Sequence, residues 1–257
     1  MHAICSTVCK MSMDDLMNQV LYQLDDASLA FPPIEGALTE PNGLLALGGD
    51  LSPERLIEAY SQGIFPWYSV NDPLMWWSPD PRAIIDIAHL RINRTLRKAI
   101  NKSPFHITLN QDFRQVTQLC ANAPFRTDGT WILPEMEEAY LKLHQQGYAH
   151  SIEIWHTDEK SNKALVGGLY GVAINGFFSG ESMFYTQSNA SKFALIALGQ
   201  LLSTAGIDFI DCQLLNPFLE DMGAKETSRD IFMHKQHNAL AKIMPDDFWQ
   251  PRTLTLI

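Results

Sequence analysis

Long apolar runs are missing from this 257-residue chain: no stretch of about 18 apolar residues could span a bilayer, and the opening segment MHAICSTVCKMSMDD lacks the apolar region of a signal peptide. A cytoplasmic chain with no membrane partner is therefore expected. Cysteine is scarce as well. Cys5, Cys9, Cys120 and Cys212 form no CxxC pair, and no histidine cluster has zinc-ligand spacing, so reduced thiols and no metal are expected. The chain has no P-loop, no nucleophile motif and no glycine-rich pyrophosphate loop opening a helix, which speaks against ATP-driven, covalent and acetyl-CoA-dependent chemistry. No cofactor is expected. Internal repeats, low-complexity tracts and charged tails are also missing. Net positive charge is absent: a formal charge of -10 excludes general coating of nucleic acid, though not a localised contact.

What remains is ordinary globular composition, 46% hydrophobic and 19% charged, enough for one large domain or a major and a minor one. The cations are unevenly spread. Arg82, Arg91, Arg94, Arg97, Lys98 and Lys102 crowd one stretch that contains the single acid Asp86. If Asn93 to Asn101 is helical, Arg94, Arg97 and Lys98 share a face, which suits either successive phosphates or plain solvent. Upstream, residues 1 to about 28 have no clean period and read as a loose extension. Ser52-Pro53-Glu54 opens a helix that ends near Gly63. Trp67, Trp76 and Trp77 follow in proline-bounded segments that read as loops, where aromatics are either plugs or stacking surfaces. From Ala83 strands and helices alternate, with strands at Ala83 to Ile87, Phe105 to Leu109 and Ser151 to His156, and helices from Asp112 to Cys120 and Glu135 to Gln146.

The block from Val166 to Gln213 places polar residues where core should be. Asn175-Gly176 predicts a type I′ hairpin joining Leu169–Ile174 to Phe177–Tyr185. Glu181 follows Gly180, a glycine that invites a bulge, and a carboxylate among Phe177, Phe178, Met183 and Phe184 needs a partner or a role. Ser188-Asn189 predicts the N-cap of a helix from Ala190 to Ser203, with Gly206 at C′. In the strand Phe209 to Leu214, Asp211 and Gln213 fall on one face by period two. Such a pair reads either as a buried hydrogen-bond network or as a reacting centre.

Many motifs in order carry a resemblance. GALTEPNGLLALGGDLSPERL, GIFPWY, WWSPDPR, Gly129-Thr130-Trp131-Ile132, His150-Ser151-Ile152-Glu153, Gly180-Glu181-Ser182-Met183-Phe184, Ala190-Ser191-Lys192 and Ile210-Asp211-Cys212-Gln213 together resemble the leucyl/phenylalanyl-tRNA protein transferases, from about Phe31 to the C-terminus. The resemblance implies an α/β (α+β) chain: an extension over 1–30, a small N-terminal α/β domain over 31–81 and a GNAT-like acyltransferase domain over 82–257. It implies an aminoacyltransferase that moves Leu or Phe, with Met a further candidate, from aminoacyl-tRNA to proteins with N-terminal Arg or Lys, marking them for N-end rule degradation. Trp67 and Trp131 would face the terminal adenosine, and Leu169, Phe178, Met183, Leu198 and Ile210 would shape the pocket for the transferred side chain. Glu181, Asp211 and Gln213 would be catalytic, with Asp211 orienting the Gln213 amide, and Arg82, Arg91, Arg94, Arg97, Lys98 and Lys102 would bind tRNA. One departure stands out: Phe218 occupies a position where relatives usually carry histidine. The rival from outside enzymes is an RNA-binding module that stacks bases on Trp67, Trp76, Trp77 and Trp131.

Overall fold

A computed structural model describes residues 21–123 and 130–256; Cys5, Cys9, Gly129 and most of the predicted extension lie outside the described residues. Two mixed sheets and seven α-helices make up the described residues, an α/β architecture. The smaller sheet has strand order β1-β2-β4-β3, from Tyr22–Leu24, Leu44–Gly48, Met75–Trp77 and Phe65–Pro66. Helix α1 (Pro53–Ser61) is inserted after β2, and its N-cap Ser52 accepts the Arg55 amide as the Ser-Pro-Glu signal requires. Two expectations fail here. Tyr22–Leu24 is a strand running parallel to β2, so the predicted extension is not wholly loose. Trp76 and Trp77 sit in β4, paired with both β2 and β3, because both rings are packed into the core, on alternate faces of the strand; they are 0% and 3% exposed and cannot stack bases.

The larger sheet has order β11-β5-β10-β9-β8-β7-β6-β12. Its strands are β5 (Arg82–Asp86), β6 (Phe105–Leu109), β7 (Ala149–Thr157), β8 (Lys163–Ile174), β9 (Phe177–Tyr185), β10 (Phe209–Gln213), β11 (Lys225–Thr227) and β12 (Arg252–Leu254). The helices are α2 (Arg94–Asn101), α3 (Phe113–Ala121), α4 (Pro134–Gln145), α5 (Ala190–Thr204), α6 (Pro217–Asp221) and α7 (Arg229–Leu240). One core cluster joins the small sheet to α3, α4 and the β8 residues Tyr170 and Val172. A second lies beneath α5 and holds Leu169, Phe178, Leu198 and Ile210. The chain beyond Gln213, with α6, β11, α7 and β12, shows too little period to be read from sequence.

The hairpin forms as expected, with Ile174 opposite Phe177, although positive φ occurs at Asn175 (50°) and not at Gly176, so the turn is not type I′. The bulge also forms. Tyr170 pairs with Ser182 and Gly171 with Gly180, which leaves Glu181 as the extra residue. At the start of α5, Asn189 adopts a left-handed φ of 68° and its side chain makes no cap bond, a correction to the expected N-cap. The helix ends in a Schellman motif: Ile207 N bonds Leu202 O, Gly206 N bonds Ser203 O, and Gly206 takes φ 67°.

Candidate active site

The bulge at Glu181 and the end of β10 open onto one cavity of about 560 Å3, within the usual range for small-ligand sites. Leu169, Phe178, Met183, Leu198 and Ile210 line it together with Trp67, Trp131, Glu181 and Gln213. All seven residues expected to bind substrate are thus brought together, from β8, β9, β10, α5 and the segments after β3 and before α4. Trp67 and Trp131 are partly exposed, unlike Trp76 and Trp77. Phe218 also lines the cavity, with the Lys192 ammonium 5.9 Å from its ring centroid.

Beneath the cavity lies a closed polar cluster. Arg82 is 1% exposed and meets Asp211 in a bidentate pair, Nε to Oδ1 at 2.8 Å and Nη2 to Oδ2 at 2.7 Å. Its Nη1 donates to Gly63 O at 3.1 Å, and its guanidinium lies 4.8 and 4.6 Å from the ring centroids of Phe65 and Phe232. Arg82 therefore cannot reach a phosphate, and its placement in the tRNA-binding set is corrected: a guanidinium leaves water only when a carboxylate meets its fork. Asp211 is itself 0% exposed and outside the cavity lining. It accepts from Ser179 Oγ at 2.8 Å and from the backbone amide of Gln213 at 3.0 Å. The expected contact from Asp211 to the Gln213 side chain is absent, because β10 does not keep period two. The register shifts between Asp211 and Gln213, Gln213 takes φ 62°, and Leu214 N bonds Cys212 O at 2.7 Å, a γ-turn of the rare positive-φ kind. Asp211 is the group that ties this strained turn down.

The turn aims Gln213 Nε2 at Glu181 Oε1, 2.8 Å away, and at Ser179 Oγ, 3.4 Å away. Tyr140 Oη donates to Glu181 Oε2 at 2.8 Å, so in the 2.7 Å contact between Tyr60 and Tyr140 the Tyr60 hydroxyl is the donor. These two tyrosines were invisible as site residues in the sequence, since each sits at an ordinary buried helical position. Burial pushes the Glu181 carboxyl up to about 7, against the pull of the Tyr60 and Tyr140 hydroxyls; the Asp211 charge adds to the rise and Arg82 opposes it. Burial, and then the Glu181 charge, hold both phenols well above their usual range. Near neutral pH Glu181 can thus be either an acceptor or a donor. The thiol of Cys212, also in the lining, is pushed up by burial and stays protonated.

The remaining basic residues behave differently from Arg82. Arg94, Arg97, Lys98 and Lys102 are exposed on or just after α2, with Leu96 as the helix's buried anchor. Arg91 is exposed too and donates to Glu220 O at 3.1 Å. No group of three or more potential metal ligands occurs among the described residues, and no helix among them is long and apolar enough to cross a membrane.

Comparison with known proteins adds the lineage. Residues 84–237 match the family model described as leucyl/phenylalanyl-tRNA protein transferase, and residues 49–80 match the model of that enzyme's N-terminal domain. The chain is 86% identical over 241 residues to the leucyl/phenylalanyl-tRNA--protein transferase of Colwellia psychrerythraea, spanning 94% of this chain and 100% of that one. Relatives of the same name from Idiomarina loihiensis and an Enterobacter species are 49% and 50% identical, over 92% and 91% of this chain and 98% and 97% of their own lengths.

Proposed function

The chain belongs to the leucyl/phenylalanyl-tRNA protein transferase family and is an aminoacyltransferase that uses aminoacyl-tRNA; from that premise we propose that it carries Leu or Phe to the α-amino group of cytoplasmic proteins beginning with Arg or Lys, marking them for N-end rule degradation. The observation that carries this reading is the joining of an apolar wall, a polar floor and two partly exposed tryptophans in one cavity. Leu169, Phe178, Met183, Leu198 and Ile210 receive the transferred side chain, and Trp67 and Trp131 take the terminal adenosine. Exposed Arg91, Arg94, Arg97, Lys98 and Lys102 hold the tRNA backbone. The accompanying partition has a small domain followed by a GNAT-like domain over 82–257; the boundary near 81 is supported by the small sheet's last strand ending at Trp77 and the large sheet's first beginning at Arg82, whereas β1 (Tyr22–Leu24) carries the small sheet back beyond the expected start at 31.

Transfer of an ester-linked aminoacyl group to an amine runs downhill and needs positioning more than strong catalysts. The acceptor nitrogen attacks the ester carbonyl carbon, the C–N bond forms, and the ester C–O bond breaks as the ribose hydroxyl takes up a proton that the amine releases. An α-amine has a reference pKa near 7.7 to 8, so a useful share is already neutral. Gln213 accepts a hydrogen bond from the attacking amine through Oε1, because Nε2 is committed to Glu181. Ionised Glu181, acceptor-only, fixes that amide orientation and offers its charge to the donor's α-ammonium. Asp211 serves by holding Gln213 in its turn. The test is transfer of radiolabelled leucine from charged tRNA to a peptide beginning with Arg, beside one beginning with Ala and an acetyl-CoA control. Labelling confined to the Arg peptide is the expected result; tRNA binding without any labelling would sink the reading in favour of a binding module, with Phe218 the first residue to restore to histidine.

A further inference from the structure

Trp249 lies outside the residues matched by the family model, in the segment between α7 and β12, yet it packs against Phe178 of the cavity wall from behind the lining. Phe178, 1% exposed, lines the cavity and is confined on one side by β8: a Cβ at Gly171 would lie 2.6 Å from Phe178 Cζ and 2.7 Å from Cε1. Only the missing side chain lets the ring sit there. Phe178 is also stacked with the indole of Trp249, centroids 5.8 Å apart at 29°. That indole is in turn stacked with His150, 4.1 Å apart at 5°. His150 is held by Gly147 O at 3.1 Å from Nε2 and by Asn110 Nδ2 at 2.9 Å from Nδ1. A carbonyl partner requires Nε2 to donate, so Nδ1 accepts and the ring is neutral, in keeping with the burial that lowers its pKa to about 3. The same Asn110 amide donates to Trp249 O at 2.7 Å, while Asn110 Oδ1 accepts from Ser151 N at 2.8 Å. One buried side chain thus fixes both the indole's backbone and its stacking partner. Phe178 is gripped between a glycine strand and a C-terminal indole that is itself locked to β6 and β7.

We propose that Trp249 is a positioning residue for donor selection: by holding Phe178 against the cavity it sets the depth of the pocket that receives the transferred side chain. This rests on reading the cavity as the donor side-chain site. Removing the indole lets the Phe178 ring tilt outward and deepens the pocket, which favours the longer phenylalanyl group over the leucyl one. A change in fit smaller than a methylene should move discrimination by less than the roughly 10- to 200-fold that a full methylene is worth.

The experiment measures kcat/KM for Leu-tRNA and Phe-tRNA with one Arg-leading peptide, in wild type, W249L and W249F, with urea unfolding of each. The expected result is a Phe-to-Leu preference raised about threefold or more in W249L, with kcat for Phe-tRNA kept within about twofold, and a smaller shift of the same sign in W249F, whose ring can still stack on His150. An unshifted ratio in folded W249L, or an equal loss for both donors, overturns the proposal while leaving the transferase reading intact. Should W249L fail to fold, W249F decides alone, and an unshifted ratio there overturns it. Wild type that transfers neither donor removes the underlying reading and the proposal with it.

Discussion

Two buried glutamates on the same sheet, Glu181 on β9 and Glu153 on β7, have carboxyls that burial pushes upward, yet their surroundings differ in kind. Glu153 is 0% exposed and closed on both oxygens: Ser151 Oγ donates to Oε1 and Thr108 Oγ1 to Oε2, each at 2.5 Å, with the Gln111 and Asp112 backbone amides beside them. It lies outside the lining of the cavity that holds Glu181 and makes a staple between β6 and β7. Glu181 receives Gln213 and Tyr140 but stands in a cavity wall, at a bulge, with an amide beside it that must choose an orientation. The contrast teaches that a buried acid with a raised pKa is not by itself a sign of chemistry. What separates the two is access: one network is complete, and the other has a side left for a substrate.

The strongest way to break the contrast is to remove what lies beneath the cavity. Asp211→Ala leaves Arg82 as an uncompensated buried cation, so stability should fall by about 3–5 kcal/mol in urea unfolding, and transfer should vanish in the fraction that folds. A variant that folds normally yet loses transfer would mean that Arg82 finds water, and that the cluster is less closed than its geometry. Next comes the exchange of the two glutamates for glutamine. Glu181→Gln leaves one acceptor oxygen where Gln213 and Tyr140 both donate, so Gln213 is no longer held to one orientation, and kcat/KM should fall about 10²-fold, chiefly a kinetic loss. Glu153→Gln should do the reverse, sparing transfer and costing about 1–3 kcal/mol, since an amide nitrogen then faces hydroxyl and amide donors. Equal kinetic losses in both would erase the distinction.

The pH dependence is smaller and sharpens the same point. Ionisation of Glu181 should give kcat/KM an inflection near pH 7 that Glu181→Gln removes, leaving only the titration of the acceptor amine. For stability the sign is opposite. A folded pKa of about 7, raised above the ordinary carboxyl value of 4.5, gives a contribution that is fully present below about pH 4.5 and lost as pH rises through 7. The slope of wild-type stability in that window should therefore flatten in Glu181→Gln; an unchanged slope would mean that the carboxyl titrates elsewhere. Smallest of all is Arg97→Ala together with Lys98→Ala on exposed α2. The KM for charged tRNA should rise, the salt dependence of binding should weaken by roughly one unit of slope for each phosphate no longer gripped, and unfolding should stay within about 0.5 kcal/mol.

The local parts of this site were legible in the sequence because local physics determines them. Asn175-Gly176 made the hairpin, Gly180 announced the bulge at Glu181, and Gly206 closed α5. Three failures share a cause, which is that the deciding partner is distant in sequence. Arg82 looked like one more cation of a basic stretch, since nothing near it shows that Asp211 waits 129 residues on. Trp76 and Trp77 looked like loop aromatics because the small sheet that buries them is made of strands of two to five residues. Tyr60 and Tyr140 carried no signal, as a hydroxyl's partner cannot be read from helical spacing. Gln213 was misjudged for another reason. Period two assumes an unbroken strand, and the γ-turn at its end redirects the side chain from Asp211 toward Glu181.

The ion pair between Arg82 and Asp211 also sets an order of events in synthesis. A chain leaving the ribosome at about 5–20 residues per second exposes Arg82 well before its counter-ion exists, so the cation must remain hydrated meanwhile. Strand β5, which lies between β10 and the edge strand β11, cannot join the sheet until β10 arrives to pair with it, and the cluster draws on Tyr60, Arg82, Tyr140, Ser179, Glu181 and Asp211 together. Such non-local closure is slow and comes late. A nascent or truncated chain that stops short of β10 is therefore inert toward charged tRNA, and activity appears only once about four-fifths of the sequence has been made.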